Sequence, residues 1–180
     1  MVRMMKGISE TEALKRLRKL KQEYASRIQN EFETRAKACA LCATPGECCL
    51  DDHFVNVHIT RLEAAAIREK LAGFADEFRK KIDKRIDETI EKYGLSEVGE
   101  TSAKTYRCPL YEKGIGCLVH GDAKPTACIS HACYEKKEDL PPDEIQSEME
   151  DLVESLNRRT YGERTQWLPL PRAIQELPRR

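Results

Sequence analysis

Residues 60–94 read TRLEAAAIREKLAGFADEFRKKIDKRIDETIEKYG, and the fold class turns on that stretch. Thr60 with Glu63 three positions on is a capping box. Leu62, Ile67, Leu71, Phe74, Phe78, Ile82, Ile86 and Ile90 recur at helical spacing, and Gly94 is placed to end the run as a C′ residue. The spacing predicts one helix over 61–93, about 33 residues and on the order of 50 Å long at the α-helical rise. From Phe78 onward the apolar residues fall at every fourth position, so the stripe drifts by about 40° per step around the helix. One neighbouring helix would not cover all of it. A protein partner or a second copy docking on the long helices is therefore one expectation.

Upstream, residues 54–60 alternate, with Val55, Val57 and Ile59 on one side and Asn56 and His58 on the other, which predicts a short half-buried strand. Before it lies a loop, 38–52, that packs Cys39, Cys42, Pro45, Gly46, Cys48, Cys49, Asp51 and Asp52 with no amphipathic period. Further upstream, Ser9 and Glu12 form another capping box, and Leu14, Leu17, Tyr24, Ile28 and Phe32 predict a helix over 10–37. Downstream, 95–107 is polar and turn-rich. Residues 108–134 hold Cys108, Cys117, Cys128 and Cys133 among glycines and prolines, with room for short strands near Tyr106 and at Leu118–Val119. Pro141 and Pro142 suit a helix's first turn, and Ile145, Met149, Leu152, Val153 and Leu156 predict a third helix over 142–158. The remainder, 159–180, reads as an extended tail, with the proline-restricted Trp167–Pro171 packing along the body. The expectation is a mostly α, single domain over 1–180: long helices around a cysteine-rich metal-binding core, with one or two short strands.

Composition fits one modest domain. The chain has 180 residues, 31 basic and 31 acidic side chains, 40% hydrophobic content and eight cysteines. Its apolar runs fall far short of the roughly 20 residues needed to cross a bilayer, and its start lacks a signal peptide's apolar region. A cytoplasmic, reducing setting is the expectation, with thiols rather than disulfides. Charge is uneven: residues 1–38 carry +5, residues 157–180 carry +4 and the middle −9. Basic ends without interleaved aromatics fit a solvated helix face better than a nucleic-acid surface, so nucleic acid is disfavoured.

The cysteines carry the chemistry. Cys39-Ala-Leu-Cys42 is a chelating spacing, weak alone. Its weight comes from Cys48 and Cys49 six and seven residues beyond and from Cys108, Cys117, Cys128 and Cys133 across the long helix. Eight thiols in two loop clusters of a reduced protein point to metal, against two competing readings: buried thiols acting as small hydrophobes, and disulfides. Cys48 and Cys49 are adjacent, so in an extended chain they face opposite ways and are expected to serve different sites, or one as a ligand and the other as a thiol behind it, rather than to chelate the same ion. The paired CxxC pattern of a zinc ribbon is absent. Zinc in a four-cysteine cage and an iron–sulfur cluster, [4Fe–4S], held by irregular loops both remain, with a small preference for the cluster. His53, His58, His120 and His131 are secondary ligand candidates, His120 and His131 ahead of His58. Asp51 and Asp52 suit turn capping. No Ser/His/Asp order, HExxH helix, phosphate loop or paired-carboxylate signature is present, so no hydrolase or kinase is assigned.

The order of these residues resembles the YkgJ-type cysteine-cluster family, a zinc- or iron-chelating domain with a CxxCxxCC-like signature, over residues 39–133. Cys39, Cys42, Cys48 and Cys49 look like its first group, and Val57 to Glu63 looks like the strand and capped helix that follow. Cys108-Pro109-Leu110-Tyr111, Cys117-Leu118-Val119-His120 and Pro125-Thr126-Ala127-Cys128 look like its later elements. Lys124 stands where the family has arginine, His120 stands where an aromatic is usual, and the spacer helix is longer. The resemblance implies metal or iron–sulfur binding with a structural or redox role. One branch of the family methylates flagellin lysines, so the resemblance also admits an S-adenosylmethionine-dependent protein lysine methylase. The chain has no Gly-x-Gly-x-x-Gly loop after a strand, and Gly114-Ile115-Gly116 lies between cysteines. A metal-stabilised helical interaction module is the third reading.

Overall fold

The structure, a computed structural model, describes residues 7–37, 46–50, 55–95, 101, 103–162 and 166–179. Along the chain run α1 (Glu10–Glu31), β1 (Ala36–Lys37), α2 (Glu47–Leu50), β2 (His58–Ile59), α3 (Arg61–Ala72), α4 (Asp76–Tyr93), β3 (Tyr111–Glu112) and β4 (Gly116–Cys117). They are followed by α5 (Thr126–Ile129), β5 (Cys133–Tyr134), α6 (Asp143–Tyr161), β6 (Leu168–Pro169) and α7 (Leu170–Gln175). The fold is mostly helical. Among the described residues the strands form three two-stranded antiparallel pairs, β1–β5, β2–β6 and β3–β4.

The capping box at Thr60 is present in full: Glu63 N–H donates to Thr60 Oγ1 at 3.2 Å, and Thr60 N–H donates to Glu63 Oε2 at 3.2 Å. A further first-turn donor of α3, Leu62 N–H, finds Asn157 Oδ1 of α6 at 3.1 Å. The box at Ser9 is only half made. Ser9 Oγ accepts from Glu12 N–H at 3.3 Å, but the Glu12 carboxylate takes Arg16 Nε at 2.7 Å instead of turning back.

The single helix expected over 61–93 is two helices. Gly73 closes α3, its N–H bonded to Lys70 O at 3.2 Å, and Ala75 is extended at φ −58, ψ 144 ahead of α4. Glycine is a poor helix former, and the acidic Asp76 and Glu77 favour a fresh N-terminus at that point. Phe74 and Phe78 bridge the break as an edge-to-face pair 5.4 Å apart. Arg68 fixes the helices across it, giving Nη1 to Asp83 of α4 at 2.5 Å and Nε to Ile174 O of α7 at 3.0 Å.

Two aliphatic clusters lie on either side of α3. Ile67 and Leu71 join Ile82, Ile86 and Ile90 of α4 and Leu170, Ala173 and Ile174 of α7, with Tyr106, Leu110, Leu118 and Val119 from the loops. Leu62 and Ala66 face the other way, onto Leu14, Leu17, Tyr24 and Ile28 of α1 and Ile145, Met149, Val153 and Leu156 of α6. Ile82, Ile86 and Ile90 of the drifting stripe are thus core, covered by the chain's own α3, α7 and loops, and Phe78 packs partly buried against the same cluster. Leu152, counted toward the apolar face of α6, is half exposed.

Other boundaries shift for local reasons. The first helix stops at Glu31, followed by a 3₁₀ turn at Glu33–Arg35 and then β1, so it does not reach 37. The strand expected over 54–60 pairs only at His58–Ile59, opposite Pro169 and Leu168. Phe54 lies outside the described residues. The third helix runs to Tyr161, past the expected 158. Among the described residues of the tail, β6 is the extended pairing. From Leu170 the tail is helical, with Pro171 in the first turn, where a missing N–H costs nothing. The β3–β4 hairpin replaces the strands expected near Tyr106 and Leu118, because Gly114 (φ +84) and Gly116 (φ +97) turn the chain there.

Tyr106 ties three segments together. Its ring is fully buried, its N–H donates to Val55 O at 2.9 Å, and its hydroxyl donates to Val57 O and accepts from Leu170 N–H at 3.2 Å. Replacing Tyr106 by phenylalanine is expected to cost about 1–2 kcal/mol, read as a lower urea midpoint at unchanged m-value.

Candidate metal centre

Of the eight cysteines, Cys39 and Cys42 lie outside the described residues, as do Asp51, Asp52 and His53. Cys48 and Cys49 sit on α2, entered through a turn at Gly46 and held by Cys49 N–H to Gly46 O at 2.9 Å. They do not face opposite ways as in a strand, because successive helical residues point about 100° apart. Gly46 has a left-handed φ of +84, and a Cβ there would run into the Tyr111 ring. Gly46→Ala is therefore expected to cost at least about 2 kcal/mol, from left-handed strain plus overpacking, as measured by urea unfolding.

The two cysteine regions meet through the backbone. Cys108 N–H donates to Cys49 O at 2.8 Å. Cys117 enters on β4 opposite Tyr111, and Leu118 N–H to Leu110 O at 2.9 Å continues that hairpin. Arg85 of α4 braces the hairpin from below, giving Nη1 to Tyr111 O at 3.2 Å and to Glu112 Oε2 at 2.8 Å. Cys128 sits on α5, its N–H on Pro125 O at 2.9 Å. Cys133 lies on β5, opposite Lys37.

Cys48, Cys49, Cys108, Cys117 and Cys128 carry free thiols. Burial pushes the Cys49 thiol up to about 12, and Cys48, Cys117 and Cys128 each add to the rise. Burial also raises Cys108; the backbone bond at Leu110 opposes the rise, while Cys128, Cys49 and Cys117 add to it. Cys128 is pushed up to about 12, first by burial, against the pull of Lys124 and with the help of Cys117 and Glu63. Cys117 is raised by burial, opposed by the backbone bond at Val119 and by Lys124. Cys117 and Cys128 thus oppose the ionisation of both Cys49 and Cys108, although the four come from separate segments. This grouping crosses the sequence clusters, taking one thiol from the first and three from the second. Among the described residues, no three Cys, His, Asp or Glu side chains converge closely enough to hold an ion.

The donor chemistry of the four suits a soft metal or a cluster. Thiolates select zinc and iron–sulfur centres over the hard cations that carboxylates hold. The histidines add little: His120 and His131 are exposed, and His58 Nε2 is hydrogen-bonded to Thr101 Oγ1 at 3.2 Å, with burial lowering its pKa. Gly114-Ile115-Gly116 forms the β3–β4 turn and opens no helix.

Beside Cys128 lies a pair of buried charges that the motif reading passes over. Lys21 of α1 is 1% exposed and Glu63 of α3 is 0% exposed. Lys21 Nζ is 3.0 Å from Glu63 Oε1 and donates to Lys124 O at 2.8 Å. The same Oε1 accepts Thr126 N–H at 2.9 Å and Thr126 Oγ1–H at 2.8 Å. Burial pushes the Glu63 carboxyl up, but the Lys21 charge and the Thr126 hydrogen bonds outweigh it and hold the group below the usual range. A signal for Lys21 exists in the sequence. It falls on the stripe of Leu14, Leu17, Tyr24 and Ile28, at a position where helical periodicity calls for an apolar side chain.

Among the described residues, no helix is long and apolar enough to cross a membrane. No family model, no curated protein and no solved structure matches the chain.

Proposed function

We propose that this chain is a metal-binding protein that holds zinc or a [4Fe–4S] cluster through thiolates, in a structural or redox role, with Cys49, Cys108, Cys117 and Cys128 as the central ligands. The observation that supports the reading is geometric: the Cys108 N–H donates to Cys49 O at 2.8 Å, so the two cysteine-bearing regions meet, and Cys117 and Cys128 lie near enough to raise the Cys49 and Cys108 thiols. Four soft donors in a half-buried setting, spread over two short helices, a loop and a hairpin, are the donor set of a four-coordinate thiolate site. Cys39, Cys42, Cys48 and Cys133 extend the proposal as further ligands. The resemblance to the cysteine-cluster family and a reducing, cytoplasmic setting belong to the same reading.

The test is an ultraviolet–visible spectrum with iron, sulfide and zinc analysis of protein purified without oxygen. Broad visible absorption with iron and sulfide supports the cluster, and a colourless protein with stoichiometric zinc supports the cage. A folded protein with neither overturns the proposal.

The raised thiol pKa values add a pH signature. At neutral pH the metal-free thiols are protonated, so loading all four displaces about four protons. Apparent zinc affinity should therefore fall steeply as pH drops from 8 to 6. Chelator competition together with calorimetry in two buffers of different ionisation enthalpy measures both quantities.

A further inference from the structure

The Lys21–Glu63 pair poses a question that stability alone does not answer. Two fully buried charges of opposite sign contribute little or nothing net compared with an apolar pair of the same volume. Yet these two are satisfied at almost every polar atom, and what satisfies them is specific. Lys21 Nζ holds the carbonyl of Lys124, and Glu63 Oε1 holds both the N–H and the hydroxyl of Thr126. The contacts fall on either side of Pro125, whose own carbonyl accepts from Cys128 N–H at 2.9 Å and Ile129 N–H at 3.2 Å. The chain of bonds therefore runs from α1 and α3, through a proline whose φ is already locked, to the backbone of Cys128 two residues beyond Thr126. Glu63 is itself fixed from behind, since Thr60 N–H and Oγ1–H occupy its Oε2 at 3.2 and 3.4 Å.

We propose that Glu63, neutralised and steered by Lys21, is the positioning residue for Cys128: it fixes the turn 124–128 and with it the place of this one thiol relative to Cys49, Cys108 and Cys117. The inference deepens the metal-binding reading and rests on it for its purpose, though the positioning itself is a property of the metal-free chain. The other thiols are placed by different means, Cys117 by the β3–β4 hairpin and Cys108 by its bond to Cys49 O. Loss of the pair should accordingly release Cys128 and leave Cys49 and Cys108 where they are.

The experiment uses the full chain with Lys21→Met and Glu63→Leu combined, so that no charge is left buried alone, and Thr126→Val as a milder variant that removes only the hydroxyl donor. Per-residue alkylation of the metal-free protein, read by mass spectrometry, should rise at least about tenfold at Cys128 with unchanged circular dichroism, as expected of a local opening. Cys49 and Cys108 should hold their rates, and Thr126→Val should give a smaller rise at the same residue. An equal rise at all three thiols, or none at Cys128, overturns the proposal. A second arm titrates cobalt(II) and follows sulfur-to-cobalt charge-transfer absorption. The double variant should bind about 10–100-fold more weakly, as is usual when a group that orients a ligand is lost. Equal affinity in a folded double variant overturns positioning. Failure of the unaltered protein to take cobalt counts against the metal reading, and the alkylation arm then decides the positioning of Cys128 by itself.

Discussion

Replacing Lys21 by methionine is expected to destabilise the fold by about 3–5 kcal/mol, because it strands a carboxylate that has no access to solvent. A domain of ordinary stability has only about 5–15 kcal/mol in total, so the variant should be marginal at neutral pH. Its pH dependence distinguishes this cause from lost packing. In the unaltered protein Glu63 is held below its ordinary range. Its contribution is therefore present above the unfolded carboxyl pKa of about 4.3 and lost as pH falls through the lower folded value. Without Lys21, burial governs and the folded pKa rises above the unfolded one. The penalty is then full above that raised value and disappears as pH falls to the unfolded value. The gap between the two proteins should narrow from pH 7 to pH 5, as measured by urea unfolding at each pH. A gap that stays constant would mean that Lys21 acts through its methylene stem alone.

The second large effect is expected at Ile86→Glu. Ile86 is fully buried in the cluster formed by α3, α4 and α7. A glutamate there either ionises in an apolar surrounding or is forced neutral, and neutralising a carboxyl of unfolded pKa about 4.3 costs about 3–4 kcal/mol at pH 7. The lost isoleucine contacts add to it. Loss of cooperative unfolding is the expected result, whereas an interface residue would give a folded, dispersed monomer. Leu152→Glu is the control: at 50% exposure on α6, it should change stability by no more than about 0.5 kcal/mol. A folded, monomeric Ile86→Glu protein would show that α7 does not close this face in solution.

The helical class is legible because the apolar residues of 10–31, 61–93 and 143–161 keep their period and the caps at Ser9 and Thr60 mark two of the starts. The break at Gly73 is not, because Phe74 and Phe78 keep the stripe continuous through it. Periodicity records which face is buried, not whether the backbone between turns stays helical. The helix at Leu170–Gln175 is hidden for the opposite reason. Pro169 and Pro171 read as extended chain, yet one of them lies in the first turn, where proline is at home. At the thiol site, spacing marks the residue type but not the partners. Cys49 meets Cys108 through a backbone bond between segments 59 residues apart, and no local pattern carries that information. Glu63 shows the same limit. Its capping role is visible three residues from Thr60, while its hold on Thr126, 63 positions away, depends on tertiary structure.

The cover over α4 arrives late in the order of synthesis. Phe78, Ile82, Ile86 and Ile90 leave the ribosome long before Leu168, Leu170 and Ile174, which pack against the same cluster, and the β2–β6 pairing that anchors those residues needs Leu168 and Pro169. A nascent chain paused before residue 168 therefore lacks part of the cover over a row of isoleucines on an otherwise highly charged helix. Such a row attracts chaperones and sister chains alike, so this half of the molecule is completed only after translation has passed β6.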